Sequence, residues 1–537
     1  MTQAWEIEDF LDVRDNQLHI DGISAVELAR EYGTPLFVFS ESRIRHNIAR
    51  LKKAENSIGC PLKVCYAAKA MSTMAILRVI KDAGCDIEVN SGGELWKALK
   101  IGFTGNQIIF NGTSKEVWEI ENAINADIYA IQVDSLYELS LIEETAKRLN
   151  KSANVSLRLV PEIESGTHSG LQTALLTSKF GMMPDEAFSA FRDYRDSPHL
   201  DLCGIHLHVG SQNPDPLVYT QALEVLTRSL IHIHRETGIK LKHVNLGGGF
   251  PVNYIPEGEL TPLPPEQRAA LAASLQPGFD PVKHLIETTN RREMLAADYE
   301  PSLAIAAAWA EVHKLARENN VKHLFNGLTL LLEPGRSIIA DAGVCLTTVR
   351  NLKQRPLPDV NDNVQIDVGK AVAELEKRLA EHNDRSRSSG VSMGIYDLSR
   401  AFTDETIDSE TWLLTDAGFN ILLSMETYKW YYHLISATRS GEVHRTPYKL
   451  AGPLCDGGDV YFDIEGEHRL PDHRPLPENI KPGEILALLN CGAYTIAQES
   501  QYNGRFLPPV VLIRENGDAE IIRKREDFED LIVNDIF

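Results

Sequence analysis

Positive charge, paired cysteines and long apolar runs are what this chain has little of. Lysine and arginine number 54 against 76 aspartates and glutamates, for a formal net charge of -22. That balance disfavours nonspecific nucleic-acid binding, and it requires any anion site to be a local positive patch. The seven cysteines are an odd number without framework spacing, which argues for free thiols in a reducing compartment. No uninterrupted apolar run is long enough to span a bilayer. The start, Met1-Thr2-Gln3-Ala4-Trp5-Glu6, lacks the basic and apolar regions of a signal peptide. There is no internal repeat, and no metal-ligand set stands out. The expectation is a soluble cytoplasmic protein whose 537 residues, 43% of them hydrophobic, form two domains.

From Leu62 to Glu333, short apolar runs alternate with amphipathic stretches. The runs are Leu62–Ala68, Cys85–Asn90, Gln107–Asn111, Asp127–Val133, Asn154–Val160, Asp201–Val209, Leu241–Leu246 and Leu328–Glu333. Helix-like segments such as Met74–Ala83, Val117–Ala126, Tyr137–Leu149 and Pro216–Thr237 lie between them. Nearly continuous apolar strands imply helices on both faces. Eight such units predict an α/β fold, a (β/α)8 TIM barrel whose active site lies at the C-terminal strand ends. Lys69, Glu88, Arg158, His208, Gly247 and Glu333 all fall at or just beyond those ends.

After Ala342 the rhythm changes. Val344–Val349, Trp412–Ala417, Val460–Ile464, Ile485–Leu489 and Val510–Ile513 read as strands with few helical spacers, predicting a second, mostly β domain. Leu18–Ile20 and Leu36–Phe39 either pair into that region or bridge to the barrel. The barrel domain is drawn at 36–342 and the β domain at 1–35 plus 343–537. Pro256–Pro301 and Pro356–Ser409 look like insertions; loops this long carry structure of their own, cover a site or form a partner surface.

Four short stretches then define a chemistry. Tyr66-Ala67-Ala68-Lys69 ends a hydrophobic strand with an amine. His208-Val209-Gly210-Ser211 and Gly247-Gly248-Gly249 offer an imidazole and backbone N–H groups that can approach a phosphate. Glu333-Pro334-Gly335-Arg336 adds a carboxylate and a guanidinium at another strand end. Pyridoxal 5'-phosphate needs an amine for its aldehyde, a cradle for its phosphate and a partner for its ring nitrogen.

In these residues the chain resembles the fold-type III pyridoxal phosphate decarboxylases, which include diaminopimelate decarboxylase and eukaryotic-type ornithine decarboxylase. Further matching stretches are Ser91-Gly92-Gly93-Glu94-Leu95, Val133-Asp134-Ser135, Ser178-Lys179-Phe180-Gly181, Gly452-Pro453-Leu454-Cys455-Asp456 and Gly492-Ala493-Tyr494. The resemblance implies a head-to-tail homodimer with shared active sites. It implies Lys69 as the cofactor lysine, with Glu88 and Arg158 beside the cofactor. His208 would stack on the ring, with His206 as a rival. Ser211, Gly248, Gly249, Gly335 and Arg336 would hold the phosphate, and Tyr494 would close over it. Glu333 would keep the ring nitrogen protonated, which favours decarboxylation over racemisation. Cys455, supplied by the opposite protomer, would protonate the substrate's Cα. Asp456 would meet the distal end of the substrate, with Arg336 and Tyr494 also touching substrate. The bland alternatives are a solvated lysine, a capping glutamate, core histidine, cysteine and tyrosine, and plain tight turns.

The chain departs from the pattern at several places. Asp456 follows the cysteine, as in ornithine decarboxylase. Asp416-Ala417-Gly418-Phe419-Asn420 continues into Ile421-Leu422-Leu423-Ser424-Met425 without the arginine that would hold a distal carboxylate. Glu88 stands where Asp is usual, and Met71 where Asn is. The expected activity is removal of the α-carboxylate from an amino acid with a distal amino or polar group. Alternatives are meso-diaminopimelate decarboxylation to L-lysine with an insertion arginine (Arg291, Arg292, Arg385 or Arg387), racemisation, and a non-catalytic regulator.

Overall fold

The eight apolar runs close on themselves. In the computed structural model they form a closed parallel barrel of Leu62–Ala67, Asp86–Val89, Ile108–Phe110, Ala130–Val133, Ala153–Arg158, Leu200–His206, His243–Asn245 and Thr329–Leu332, each paired with the next and the last with the first. Residues 3–160, 178–256, 281–356, 409–465 and 469–536 are described, with isolated positions at 263, 265–266, 373 and 377. The strands are almost wholly buried, because helices cover the barrel outside and side chains fill its inside. Pairing sets Ala67 beside Glu88, Arg158 beside His206 and His206 beside Asn245. One rim therefore collects the polar strand ends.

Two of the quoted motifs are helix starts. Ser91 Oγ accepts the Glu94 N–H at 3.3 Å, and Ser135 Oγ accepts the Glu138 N–H at 3.2 Å, which caps the helices Gly92–Ile101 and Leu136–Arg148. Between them the loop after the third barrel strand is pinned by a buried lysine. Lys115 Nζ donates to the carbonyls of Gly112 (2.7 Å) and Gln132 (2.9 Å) and to Glu138 Oε1 (2.6 Å). Breaking such a buried pair costs on the order of 3–5 kcal/mol, so this loop is held firmly.

The second region is a mostly β layer. Its nine-stranded sheet runs Arg474–Leu476, Thr446–Ala451, Ser409–Thr415, Gly343–Pro356, Leu36–Ser40, Val510–Ile513 and Ala519–Arg523, with Ile485–Leu488 on the long strand Gly343–Pro356 and Leu434–Ser436 beside it. Leu36–Ser40 thus lies in the sheet, although the boundary drawn at residue 36 gave it to the barrel domain, while Gln17–Ile20 belongs to a separate three-stranded sheet.

The strand expected at Val460–Ile464 does not form; only Val460 makes an isolated bridge, to Ala451. Aspartates at both ends bend the segment. Asp459 accepts the N–H groups of Phe419 and Leu454, both at 2.8 Å, and Asp463 accepts that of Arg469 at 3.0 Å. Such bonds compete with a ladder.

The first insertion contributes a helix, Pro281–Leu295. Val368–Glu381, apart from Ala373 and Lys377, and the polar run with Arg385 and Arg387 lie outside the described residues. Among the described residues no helix is long and apolar enough to cross a membrane.

Sheet and barrel meet at the rim. Tyr494 N–H donates to the Ala70 carbonyl at 2.9 Å, and Asn490 Nδ2 to the Asn253 carbonyl at 2.8 Å.

Candidate active site

Lys69 leaves the first barrel strand through a short 3-10 turn, Ala68–Ala70. Its side chain remains 44% exposed within the barrel mouth, with Nζ 3.9 Å from Glu88 Oε2. Burial pulls its pKa down, but Glu88, Tyr494 and Glu333 outweigh that and leave it raised. In the cofactor-free protein the amine is charged.

Two carboxylates face it. Glu88 is fully buried; its Oε1 accepts Asn111 Nδ2 at 2.7 Å, and its Oε2 has no hydrogen-bond partner among the described residues. Glu333 follows directly on the eighth strand, 6% exposed, with Oε1 accepting Asn245 Nδ2 at 2.7 Å and Oε2 accepting Asn111 Nδ2 at 3.0 Å. Burial first, then the like charge of Glu88, raises the Glu333 carboxyl from 4.5 to about 7. The Asn245 and Asn111 amides and Lys69 resist that rise.

The two histidines divide. His206, at the end of its strand and 1% exposed, puts Nε2 3.5 Å from Glu333 Oε2. Burial and the nearby cations hold it well below the ordinary histidine value, so this is a neutral contact and not an ion pair. His208 lies just past the strand, and its Nδ1 accepts the Gly248 N–H at 3.2 Å. Burial, then Lys69 and Arg158, keep it neutral too. Arg158 lies under the rim, its guanidinium 4.3 Å from the Phe180 ring centre. Burial lowers its pKa against the pull of Asp134, Glu333 and Glu88.

Arg336 is also enclosed. It is 7% exposed, donates from Nε to Ser211 Oγ (3.2 Å) and from Nη1 to the Tyr254 hydroxyl (3.0 Å), and sits between the rings of Trp430 (4.3 Å) and Tyr494 (4.9 Å). The glycines have a nearer reason than phosphate approach. A Cβ on Gly248 would run into the Glu333 carbonyl oxygen, and one on Gly249 (φ +93°) into that of Gly210. Loop packing alone demands glycine there.

Pyridoxal phosphate fits these groups. Arg336 is a buried cation whose partners among the described residues are all neutral, which suits a phosphate. The charged Lys69 amine lies 3.9 Å from the Glu88 oxygen that has no hydrogen bond among the described residues.

The rim thus gathers Lys69, Glu88, Arg158, His208, Ser211, Gly248, Gly249, Glu333, Gly335, Arg336 and Tyr494. Cys455 and Asp456 stand apart. Cys455 is exposed, its N–H donating to Asn503 Oδ1 at 2.6 Å. Asp456 accepts the Gly458 N–H (2.9 Å) and the Tyr502 hydroxyl (3.1 Å). Those contacts all lie within the β domain. Arg291 is committed to the carbonyls of Tyr428 and Lys429.

Four participants escaped the sequence reading. Asn111 and Asn245 are polar residues closing apolar strands, the same signal that marked Lys69 and Glu333. Tyr254 and Trp430 carry no such mark, since they reach Arg336 only through the chain's tertiary course.

Fold and site together describe a pyridoxal phosphate-dependent barrel enzyme, and comparison with known proteins gives its family. Residues 43–286 match the family described as pyridoxal-dependent decarboxylase, pyridoxal binding domain, and residues 338–492 match its C-terminal sheet domain. The diaminopimelate decarboxylase of Bacillus subtilis is 30% identical over 529 residues, covering 97% of each chain. That of Methanocaldococcus jannaschii is 29% identical, covering 98% of this chain and 97% of the relative. The solved structure of the M. jannaschii enzyme in complex with L-lysine is similar with a TM-score of 0.72, at 28% identity and 98% coverage of both chains. The chain belongs to the pyridoxal-dependent decarboxylases, carboxy-lyases that remove the α-carboxylate of an amino acid.

Proposed function

We propose that the substrate is meso-diaminopimelate and the product L-lysine. The observation that carries decarboxylation at this site is Glu333, a buried carboxyl group held across the barrel mouth from Lys69. Full-length relatives that bear the diaminopimelate decarboxylase name support the choice of substrate.

Pyridoxal phosphate, when bound, supplies an aldehyde for the substrate amine and a ring that accepts the electron pair left behind by CO2. Lys69 supplies the amine that holds the cofactor, kept charged beforehand by Glu88. Glu333 keeps a proton on the ring nitrogen, a task suited to an acid near neutrality. Arg336, Ser211 and the Gly248–Gly249 turn hold the phosphate, and His208, fixed by the Gly248 N–H, forms one wall. Tyr494, tied to Ala70, closes the phosphate side.

Cys455 supplies a proton to Cα from a second copy of the chain. Its exposure, with its backbone N–H held by Asn503 of the β domain, supports a homodimer with shared sites. A cytoplasmic location belongs to the same reading.

A second reading has a specific basis. Ile421 and Leu422 are buried where a carboxylate-holding arginine is expected, and Arg291 is already committed to backbone carbonyls. With Asp456 at the distal end, that favours a substrate ending in an amine alone. CO2 release from meso-diaminopimelate, L-lysine and L-ornithine, with product identification, separates these. L-lysine formed from meso-diaminopimelate supports the first reading, and preference for the diamino monoacids the second. No CO2 from any of them refutes both.

A further inference from the structure

One amide nitrogen serves two acids in this site. Asn111 follows directly on the third barrel strand, and its N–H donates to the Val89 carbonyl at 2.8 Å. The next residue, Gly112, has φ +110° and is clamped by the buried Lys115, so the turn that presents the Asn111 side chain is rigid. From there Nδ2 reaches Glu88 Oε1 at 2.7 Å and Glu333 Oε2 at 3.0 Å. The NH2 group carries two hydrogens, one for each acid, which a carboxamide oxygen turned to the same place could not supply. Asn111 Oδ1 is left buried and unpaired among the described residues. An arrangement that leaves one acceptor unpaired to satisfy two others signals that those two matter more.

The charge count points the same way. Glu88 and Glu333 are 0% and 6% exposed. The cations near them are Lys69, 3.9 Å from Glu88, and Arg158, which Asp134 also attracts. Three acids against two cations leave one negative charge uncompensated at close range, which a single shared proton removes. The other titratable groups facing the pair are Cys65, Glu94, His206 and Tyr494. Cys65 and His206 are buried and neutral.

We propose that Asn111 is a positioning residue that ties Glu88 and Glu333 into one carboxyl pair facing Lys69, the pair sharing a single proton. This rests on the reading of Glu333 as the partner of the ring nitrogen and deepens it. Glu88 becomes the group that sets how readily Glu333 gives up its proton, and its extra methylene relative to aspartate is what lets it reach the shared amide.

The test follows the protonated-carboxyl stretch by infrared difference spectroscopy across a pH titration, in holoenzyme and in cofactor-free protein. Asn111→Ala removes a donor from both carboxylates and should raise the midpoint by about one pH unit. Glu88→Gln keeps shape and an acceptor but removes the like charge, and should lower it. The double variant should shift by less than the two effects added, because each change removes the other's partner. If Asn111→Ala does not fold, the downward shift in Glu88→Gln carries the test by itself. An unmoved midpoint in both variants, with the band lost in Glu333→Gln, overturns the pair and leaves Glu333 acting alone. A band untouched by Glu333→Gln overturns the pair, while the reading beneath it falls only if Glu333→Gln also leaves CO2 release by the loaded enzyme unchanged.

Discussion

Replacing Glu333 by glutamine should make the enzyme worse and the cofactor-free protein sturdier, in a pH-dependent way. The carboxyl group is raised from 4.5 to about 7 by burial and by Glu88. The folded chain therefore holds this proton more tightly than the unfolded chain does. The stability that the protonated group contributes is fully present below about pH 4.5 and is lost as pH rises through 7. Between pH 5 and pH 8 that loss is about 2.5 kcal/mol. Glutamine carries no charge and escapes it. Its single oxygen can still accept Asn245 Nδ2, while its NH2 group meets the Asn111 donor, so part of the gain is offset at every pH. The robust quantity is the change in the variant-minus-wild-type difference between the two pH values. At about 2.1 cal/mol/K per residue, 2.5 kcal/mol corresponds to about 2 °C in Tm if the whole chain unfolds together. Decarboxylation should meanwhile fall on the order of 10²-fold or more, since a preorganised charged partner is lost. Calorimetry on the cofactor-free proteins at pH 5 and pH 8, paired with CO2 release by the loaded ones, measures both. A stability difference of equal size at the two pH values would show that Glu333 does not hold a displaced proton and would refute the reasoning.

Borohydride treatment of the loaded enzyme should abolish its visible band and leave the cofactor adduct on Lys69; mass spectrometry placing it on another lysine would remove that assignment. Mixing inactive Lys69→Ala and Cys455→Ala chains should restore part of the activity, because some mixed dimers hold one intact site; no recovery despite proven subunit exchange would contradict shared sites. Trp430→Leu should weaken pyridoxal phosphate binding roughly 3- to 10-fold by removing a cation–π contact from Arg336. Binding of unphosphorylated pyridoxal should hardly change, and an equal loss for both would mean that Trp430 supports the fold and not the phosphate.

The barrel was legible because eight apolar runs bounded by helical stretches have few other ways to be buried. Strand ends were legible to within a few residues, and with them most of the rim. The β domain was less so. Leu434–Ser436 and Arg474–Leu476 are too short to show a period, and Thr446–Ala451 contains Pro447, which demotes a strand on sequence grounds. Val460–Ile464 looked like a strand because its apolar residues outweighed Asp459 and Asp463, whose backbone bonds decide the matter. In the candidate site, the residues standing at their own strand ends were the ones the sequence placed at the rim. Those that act by reaching across, such as Trp430 over Arg336, were not, because the sequence encodes no distance between them. Asn111 is the intermediate case: its position was visible, but the double contact depends on the register between neighbouring strands.

The place of Leu36–Ser40 in the sheet has a consequence for synthesis. Its neighbours are Gly343–Pro356 and Val510–Ile513, so a wholly buried strand made near the start of translation has no ladder partner until the barrel is complete. Its second edge waits until the chain is nearly finished. At typical elongation rates of about 5–20 residues per second, that second wait lasts roughly half a minute to a minute and a half. During that time Leu-Phe-Val-Phe-Ser is an apolar strand with open edges, the kind of segment that pairs with the wrong chain. The nascent protein therefore depends on keeping this one short stretch covered, and losing the strand at Val510–Ile513 would leave its edge open permanently.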